Sequence, residues 1–450
     1  MTIRPPEHLR VGAAALDVTP PIGVAMQGYG LRYAGALADP LLANALAVGG
    51  EHVDWLLLTI DAVGLDRAFT SRVRTNIGEH LSLAPSAITI ACSHTHSGPA
   101  TLAHLGPVAA DNSYLGFLED RMMTVAGNSA KNLQPANWRV GVSSLAENIN
   151  RRLQLGGGIT LATDPDGPVD SRLRVIRIDH AGASPLKAPL ALVVHYACHA
   201  TTSGDEPHIS ADWPGVMRAT LQRLYKNDGE HPIICFLQGC TGDLTHRIGR
   251  SRESWPQHFD RHTAAQSQIL GRLAAAAAIN ASERSVEFFV ESVKTVLEPL
   301  NLPFYDQSGS ETTELQLVRL GPVAANPDSA RASAWIIGLP GEPFTIYSTE
   351  LGRQFHHEFR CDEDNVLVCG YTNDCVGYLC TPEALREGGY EATTAHQLYH
   401  RPAAFSPATK KIVFNTSGRA AKKLLTDAPT RESGIFSRRL NALNRWLSVY

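Results

Sequence analysis

Six residues, Ala87-Ile88-Thr89-Ile90-Ala91-Cys92, carry a single polar side chain and break off at Ser93-His94-Thr95-His96-Ser97-Gly98-Pro99. A run so short and so apolar reads as a strand inside a core, and Ser-Gly-Pro stops it. Comparable runs recur at residues 11–16, 56–60, 173–178, 190–195, 233–237, 286–296, 334–338 and 366–369. Helical patterns fall between several of them, at 67–81, 115–132, 214–225, 263–279 and 345–359. The fourth is rich in alanine, which favours helix. This alternation predicts an α/β fold of mixed β-sheets flanked by helices. No repeat, low-complexity stretch or Pro/Gly/Ser linker divides the chain, so residues 1–450 read as a single large domain. Residues 408–450 read as a helical extension. Its Lys422, Lys423, Arg438, Arg439 and Arg445 form a solvated basic face.

In an extended backbone residues two apart point to the same side, so His94 and His96 emerge together where a core strand becomes a loop. Neutral imidazole is both a metal ligand and a proton shuttle; the plain alternative is two surface histidines in a turn. A second apolar run leads into His195-Tyr196-Ala197-Cys198-His199-Ala200-Thr201. His195 lies within that strand and reads as a core histidine. His199 lies at its mouth and reads as a ligand, while His208 reads as a loop residue. A third run ends in Leu339-Pro340-Gly341-Glu342-Pro343-Phe344. Alone, Glu342 would be a favourable charge at a helix start. With two strand-end histidines it completes a familiar three-ligand catalytic zinc set.

Other segments are less specific. Tyr378 and Tyr390 lie among glycines and twelve residues apart, and from spacing alone they read as packing residues. In Phe236-Leu237-Gln238-Gly239-Cys240-Thr241-Gly242-Asp243-Leu244-Thr245-His246-Arg247 a strand runs into a Gly-punctuated loop whose backbone amides could cradle an anion or oxyanion, but it is no Walker motif. No G-x-S-x-G elbow supports a serine hydrolase. Asp61 and Asp212 fit a site role or a plain loop hydrogen bond equally well.

Together these segments resemble the neutral, non-lysosomal ceramidase family, over most of the chain. Ser93-His94-Thr95-His96-Ser97-Gly98-Pro99 is close to that family's Thr-His-Thr-His-Ser-Gly-Pro signature. The resemblance implies that His94 binds zinc and that His96 sits beside it. Cys198-His199-Ala200-Thr201 is similar to the family's second zinc-histidine context, and Pro340-Gly341-Glu342 to its carboxylate turn. Tyr378-Leu379-Cys380-Thr381 and Tyr390-Glu391-Ala392 keep its ligand tyrosine and active-site tyrosine. Asn150-Arg151 matches its active-site arginine. Where the family carries Ser-Pro-Asn, the loop here reads Thr245-His246-Arg247, so Thr245 keeps only a hydroxyl. The resemblance thus implies a zinc-dependent hydrolase: His94, His199, Glu342 and Tyr378 on Zn2+, with His96, Arg151, Thr245 and Tyr390 as catalytic residues. It implies an N-acyl amide as substrate, small or lipid-like. An ester, lactone or sugar-linked substrate is the alternative, and a non-catalytic metal-binding homologue the third reading.

Composition bounds the rest. With 44% hydrophobic residues, 19% charged residues and a net charge of −4, nothing favours nucleic acid as a partner. No apolar run reaches the ~20 residues of a spanning helix. The first eight residues lack a signal-peptide core, and the eight cysteines are scattered, several of them within apolar strands. Both point to a cytoplasmic protein with reduced thiols and no cysteine metal site.

Overall fold

The computed structural model describes residues 9–182, 187–227, 229–248, 264–323 and 330–426. Its larger sheet runs in the order Ile233–Gln238, Ala191–Tyr196, Arg172–His180, Gln134–Ser144, Arg10–Asp17, Leu42–Gly49, Val53–Ile60, Ile88–Cys92. Val286–Phe288 adds to Gln134–Ser144. Neighbours along the path are antiparallel, save for the parallel pair at each end. The two halves of the path are joined only by Arg10↔Pro135 and Val11↔Gln134. That narrow seam lets one half turn against the other.

The smaller sheet is Ser292–Pro303, Ser310–Gly321, Ala334–Gly338 and Val366–Cys369. Its first two strands form a long antiparallel pair and its last two run parallel. Period-two alternation then sorts side chains into layers. Leu46, Leu57, Ile176, Val193, Val318 and Ile336 meet in one central cluster drawn from both halves and the smaller sheet. Their strand neighbours point outward into three helix-covered clusters. Arg67–Leu81 and Asn112–Lys131 cover the first half, Asp212–Leu224 and Ala264–Glu283 the second, and Thr345–Phe359 and Ala408–Thr426 the smaller sheet. The fold is therefore α/β, with mixed sheets and flanking helices, as the alternation predicts.

Local chemistry sets the helix ends. Asp66 caps Arg67–Leu81 by accepting from the Phe69 amide, and the helix buries Phe69, Val73 and Ile77 at a spacing of four. The expected strand at 286–296 is broken into Val286–Phe288 and Ser292–Pro303. Of the expected basic extension, Lys422 and Lys423 lie in the helix Ala408–Thr426; residues 427–450, with Arg438, Arg439 and Arg445, fall outside the described residues. Among the described residues no helix is long and apolar enough to cross a membrane.

Candidate active site

Three strand ends, one from each half of the larger sheet and one from the smaller, converge. Past Ile88–Cys92 the backbone of His94 takes a left-handed φ of 61°. Such a conformation costs energy in a residue with a Cβ and is kept where the surroundings enforce it. Here the His94 amide donates to Ala62 O at 2.9 Å. The buried ring pairs its Nδ1 with Val63 O at 2.5 Å, which leaves Nε2 free to face inward. His199 does the same past Ala191–Tyr196: Nδ1 pairs with Thr241 O at 2.9 Å. Backbone partners of this kind fix the tautomer and aim of a ligating histidine.

The inward atoms lie close together. His94 Nε2 is 3.2 Å from His199 Nε2 and 3.4 Å from Glu342 Oε2, and His199 Nε2 is 3.5 Å from the same oxygen. Ligands about 2.0–2.1 Å from a tetrahedral ion sit roughly 3.3 Å apart, so this triangle fits a zinc-sized cation. His96 Nε2 lies 3.1 Å from His94 Nε2, and the three imidazoles form a group able to hold a metal. Burial, with cations around it, holds His96 and His199 well below the usual imidazole range, so both are neutral, the form a metal binds. Burial alone would raise the Glu342 carboxyl. His94, the Tyr399 hydroxyl and Arg151 outweigh it and hold Glu342 below its ordinary range.

Glu342 arrives by register. Glu342–Pro343 pairs in parallel with Tyr378–Leu379, which sets Tyr378 beside Glu342. The Tyr378 hydroxyl accepts from Arg151 Nη2 at 3.0 Å. The same nitrogen reaches Gly242 O at 2.8 Å, and Arg151 Nε donates to Glu391 at 2.9 Å. Arg152 holds the other Glu391 oxygen at 2.7 Å. Tyr390 packs edge-on against Tyr378, with ring centroids 5.7 Å apart. The structure thus brings His94, His96, His199 and Glu342 into one cluster and sets Arg151, Tyr378 and Tyr390 beside it. Thr245 is buried in Leu244–His246, paired with Ile149. Among the described residues its side chain makes no hydrogen bond to the cluster.

In the loop expected to cradle an anion, three backbone amides are committed to carbonyls and turned away from any ligand: Gly239 to Tyr196, Gly242 to Pro343 and Leu244 to Thr241. The loop presents carbonyls instead, to His199 and Arg151. His195 Nε2 pairs with Val368 O in the core. Asp61 pairs with Arg218 at 2.8 Å, and Asp212 accepts from the Ser203 and Trp213 amides at 2.7 Å.

Sequence reasoning passes over several neighbours. Tyr399 donates to Glu342 Oε1 and Tyr371 to Oε2, and Glu391 joins the two arginines. Gly28, at φ 104°, lies against His96; a Cβ there would come within 2.5 Å of the ring. One signal was available: Tyr371 follows its apolar strand as directly as His94 follows its own.

No family model matches the chain. A neutral ceramidase from Mycobacterium tuberculosis is 35% identical over 81 residues, a stretch that spans 18% of this chain and 11% of that relative. Among solved structures, the neutral ceramidase of Pseudomonas aeruginosa superposes with a TM-score of 0.74 at 15% identity, over 95% of this chain and 76% of that one. A second, described as a ceramidase complexed with C2, gives 0.71 at 14% identity, over 93% and 75%. The chain has the neutral ceramidase fold.

Proposed function

We propose that the chain is a metal-dependent hydrolase that cleaves an amide bond in an N-acyl, lipid-like substrate, with a zinc-like ion at His94, His199 and Glu342 and with Tyr378 completing the set. The observation that carries this reading is the buried triangle of ligand atoms spaced 3.2, 3.4 and 3.5 Å apart. When bound, such an ion supplies Lewis acidity and lowers the pKa of a water to about 7. Arg151, always charged, holds the Tyr378 hydroxyl and brings positive charge to the carbonyl oxygen of the substrate. Tyr390 orients the scissile group against Tyr378. His96 is neutral and can take or give a proton at Nε2. Thr245 supplies a hydroxyl one strand away. Support for a lipid-like substrate comes from the loop beside Gly28: Ile22, Leu31, Tyr33 and Leu37 are all exposed. Eight free, buried cysteines suit a reducing, cytoplasmic setting.

Expected outcomes follow from this arrangement. His94→Ala and His199→Ala should lose bound metal and hydrolysis together, measured by elemental analysis and by turnover of N-acyl amides of graded chain length. Full turnover in either purified variant rejects the site. Esters and lactones assayed in parallel test the bond: faster turnover of these than of every amide rejects the amide reading. Removing the Arg151 charge, as in Arg151→Met, should cost about 10²–10³ in rate while metal stays bound.

A further inference from the structure

Tyr371 touches two of the strand ends that bring a ligand to the cluster and the loop that orients the third. Its carbonyl accepts from the Cys92 amide at 3.1 Å, two residues before His94, and its amide donates to Gly341 O at 2.9 Å, one residue before Glu342. Its ring lies flat on that of His94, with centroids 3.9 Å apart and planes 18° apart. Its hydroxyl is 3.3 Å from Glu342 Oε2, the oxygen that faces His94 and His199. The same hydroxyl is 2.6 Å from Thr241 Oγ1, and the Thr241 carbonyl holds His199 Nδ1. The residue is 1% exposed and adopts a left-handed φ of 51°. A left-handed tyrosine is uncommon and persists only where neighbours enforce it. Packing alone would not require a hydroxyl directed at a carboxylate. A phenylalanine would fill the same volume and leave Glu342 Oε2 one donor short.

From these contacts we infer that Tyr371 is a positioning residue for the metal centre: its hydroxyl fixes the ligating oxygen of Glu342 while its ring fixes His94. The inference rests on the metal reading above and extends it to a residue outside the ligand set. Partners that orient a ligand typically contribute roughly 10–100-fold in metal affinity. Tyr371 acts on His94 and Glu342 directly and on His199 through Thr241.

Tyr371→Phe keeps the ring and removes the hydroxyl. Zinc affinity, read by competition with a chromogenic chelator, should fall roughly 10–100-fold. The visible absorption bands of the cobalt(II)-loaded protein should shift, because the geometry of the carboxylate ligand changes. Thr241→Val removes the second hydrogen bond of the hydroxyl and keeps the carbonyl that His199 uses; its affinity should fall by a smaller factor. If the wild-type protein takes up neither zinc nor cobalt, the metal reading itself fails. If the wild type binds and Tyr371→Phe matches it in affinity and cobalt spectrum, the positioning role alone is overturned. Should Tyr371→Phe not fold, unchanged affinity in Thr241→Val overturns it equally.

Discussion

Asp374 shows how closely a structural carboxylate can resemble a functional one. It is buried near the cluster, yet its oxygens accept from the Arg67 and Cys375 amides, at 3.1 and 2.8 Å, and from the Thr313 hydroxyl at 2.6 Å. Burial nevertheless pushes its pKa up to about 6. The unfolded value is about 3.9, so between those two pH values the folded chain holds a proton that the unfolded chain has lost. Its contribution to stability is therefore full below pH ~4 and is lost as pH rises through ~6, by about 3 kcal/mol in all. Asp374→Asn cannot titrate. In urea unfolding, wild type should lose about 3 kcal/mol relative to Asp374→Asn between pH 3.5 and pH 7, and a pH-independent difference would refute this. Legibility at this scale follows the same division. His94, His96, His199 and Glu342 could be read from the sequence because each follows an apolar run with polar chemistry out of place in a core. Tyr371 offered the same placement after an apolar strand, but its hydroxyl contact to Glu342 is made across 29 residues, and Tyr399, whose contact spans 57 residues, offered no signal at all.

At the scale of elements, periodicity served where one face was plainly apolar. The helices Arg67–Leu81 and Thr345–Phe359 run between the residues their patterns predict. The strands Gln134–Ser144 and Ser310–Gly321 were missed. In them apolar residues alternate with polar or charged ones, at Ala136, Trp138, Val140 and Val142 and at Leu315 and Leu317, so no continuous apolar run marks them as it marks the core strands. Loop chemistry was the hardest to foresee. The glycines at 239 and 242 suggested free amides, whereas the folded loop spends both of these amides on neighbouring carbonyls. Gly28 carries a different kind of information. Its φ of 104° and its approach to His96 are both closed to a residue with a Cβ. Gly28→Ala should displace the His96 ring and lower turnover by at least tenfold, since misplacing a reacting group by about 1 Å can cost 10²-fold. Its melting temperature should change by only a few degrees, because the loop lies outside the central cluster. Wild-type turnover in Gly28→Ala would remove His96 from the proposed chemistry.

The whole molecule explains why so few candidate ligands need so large a fold. Each comes from the end of a different strand, and those strands belong to three sheet faces that meet in one apolar cluster. Distances within the candidate site are therefore set by how those faces pack, and close-packed interiors transmit small displacements. Two substitutions separate this packing from general stability. Ile336 lies in the central cluster on the strand that leads to Glu342, whereas Leu351 lies in the outer layer, between the helix Thr345–Phe359 and the smaller sheet. Both are buried, and either change to alanine should cost about 2–5 kcal/mol. Only the inner cavity lets the faces that carry His94, His199 and Glu342 shift against one another. Ile336→Ala should therefore weaken zinc binding in chelator competition, while Leu351→Ala, at matched loss of stability, should keep the wild-type affinity. Equal affinities in the two variants would mean that the loops hold the site by themselves. The hydrogen bonds of His94 to Val63, of His199 to Thr241 and of Tyr371 to Glu342 would then suffice, without the sheets behind them.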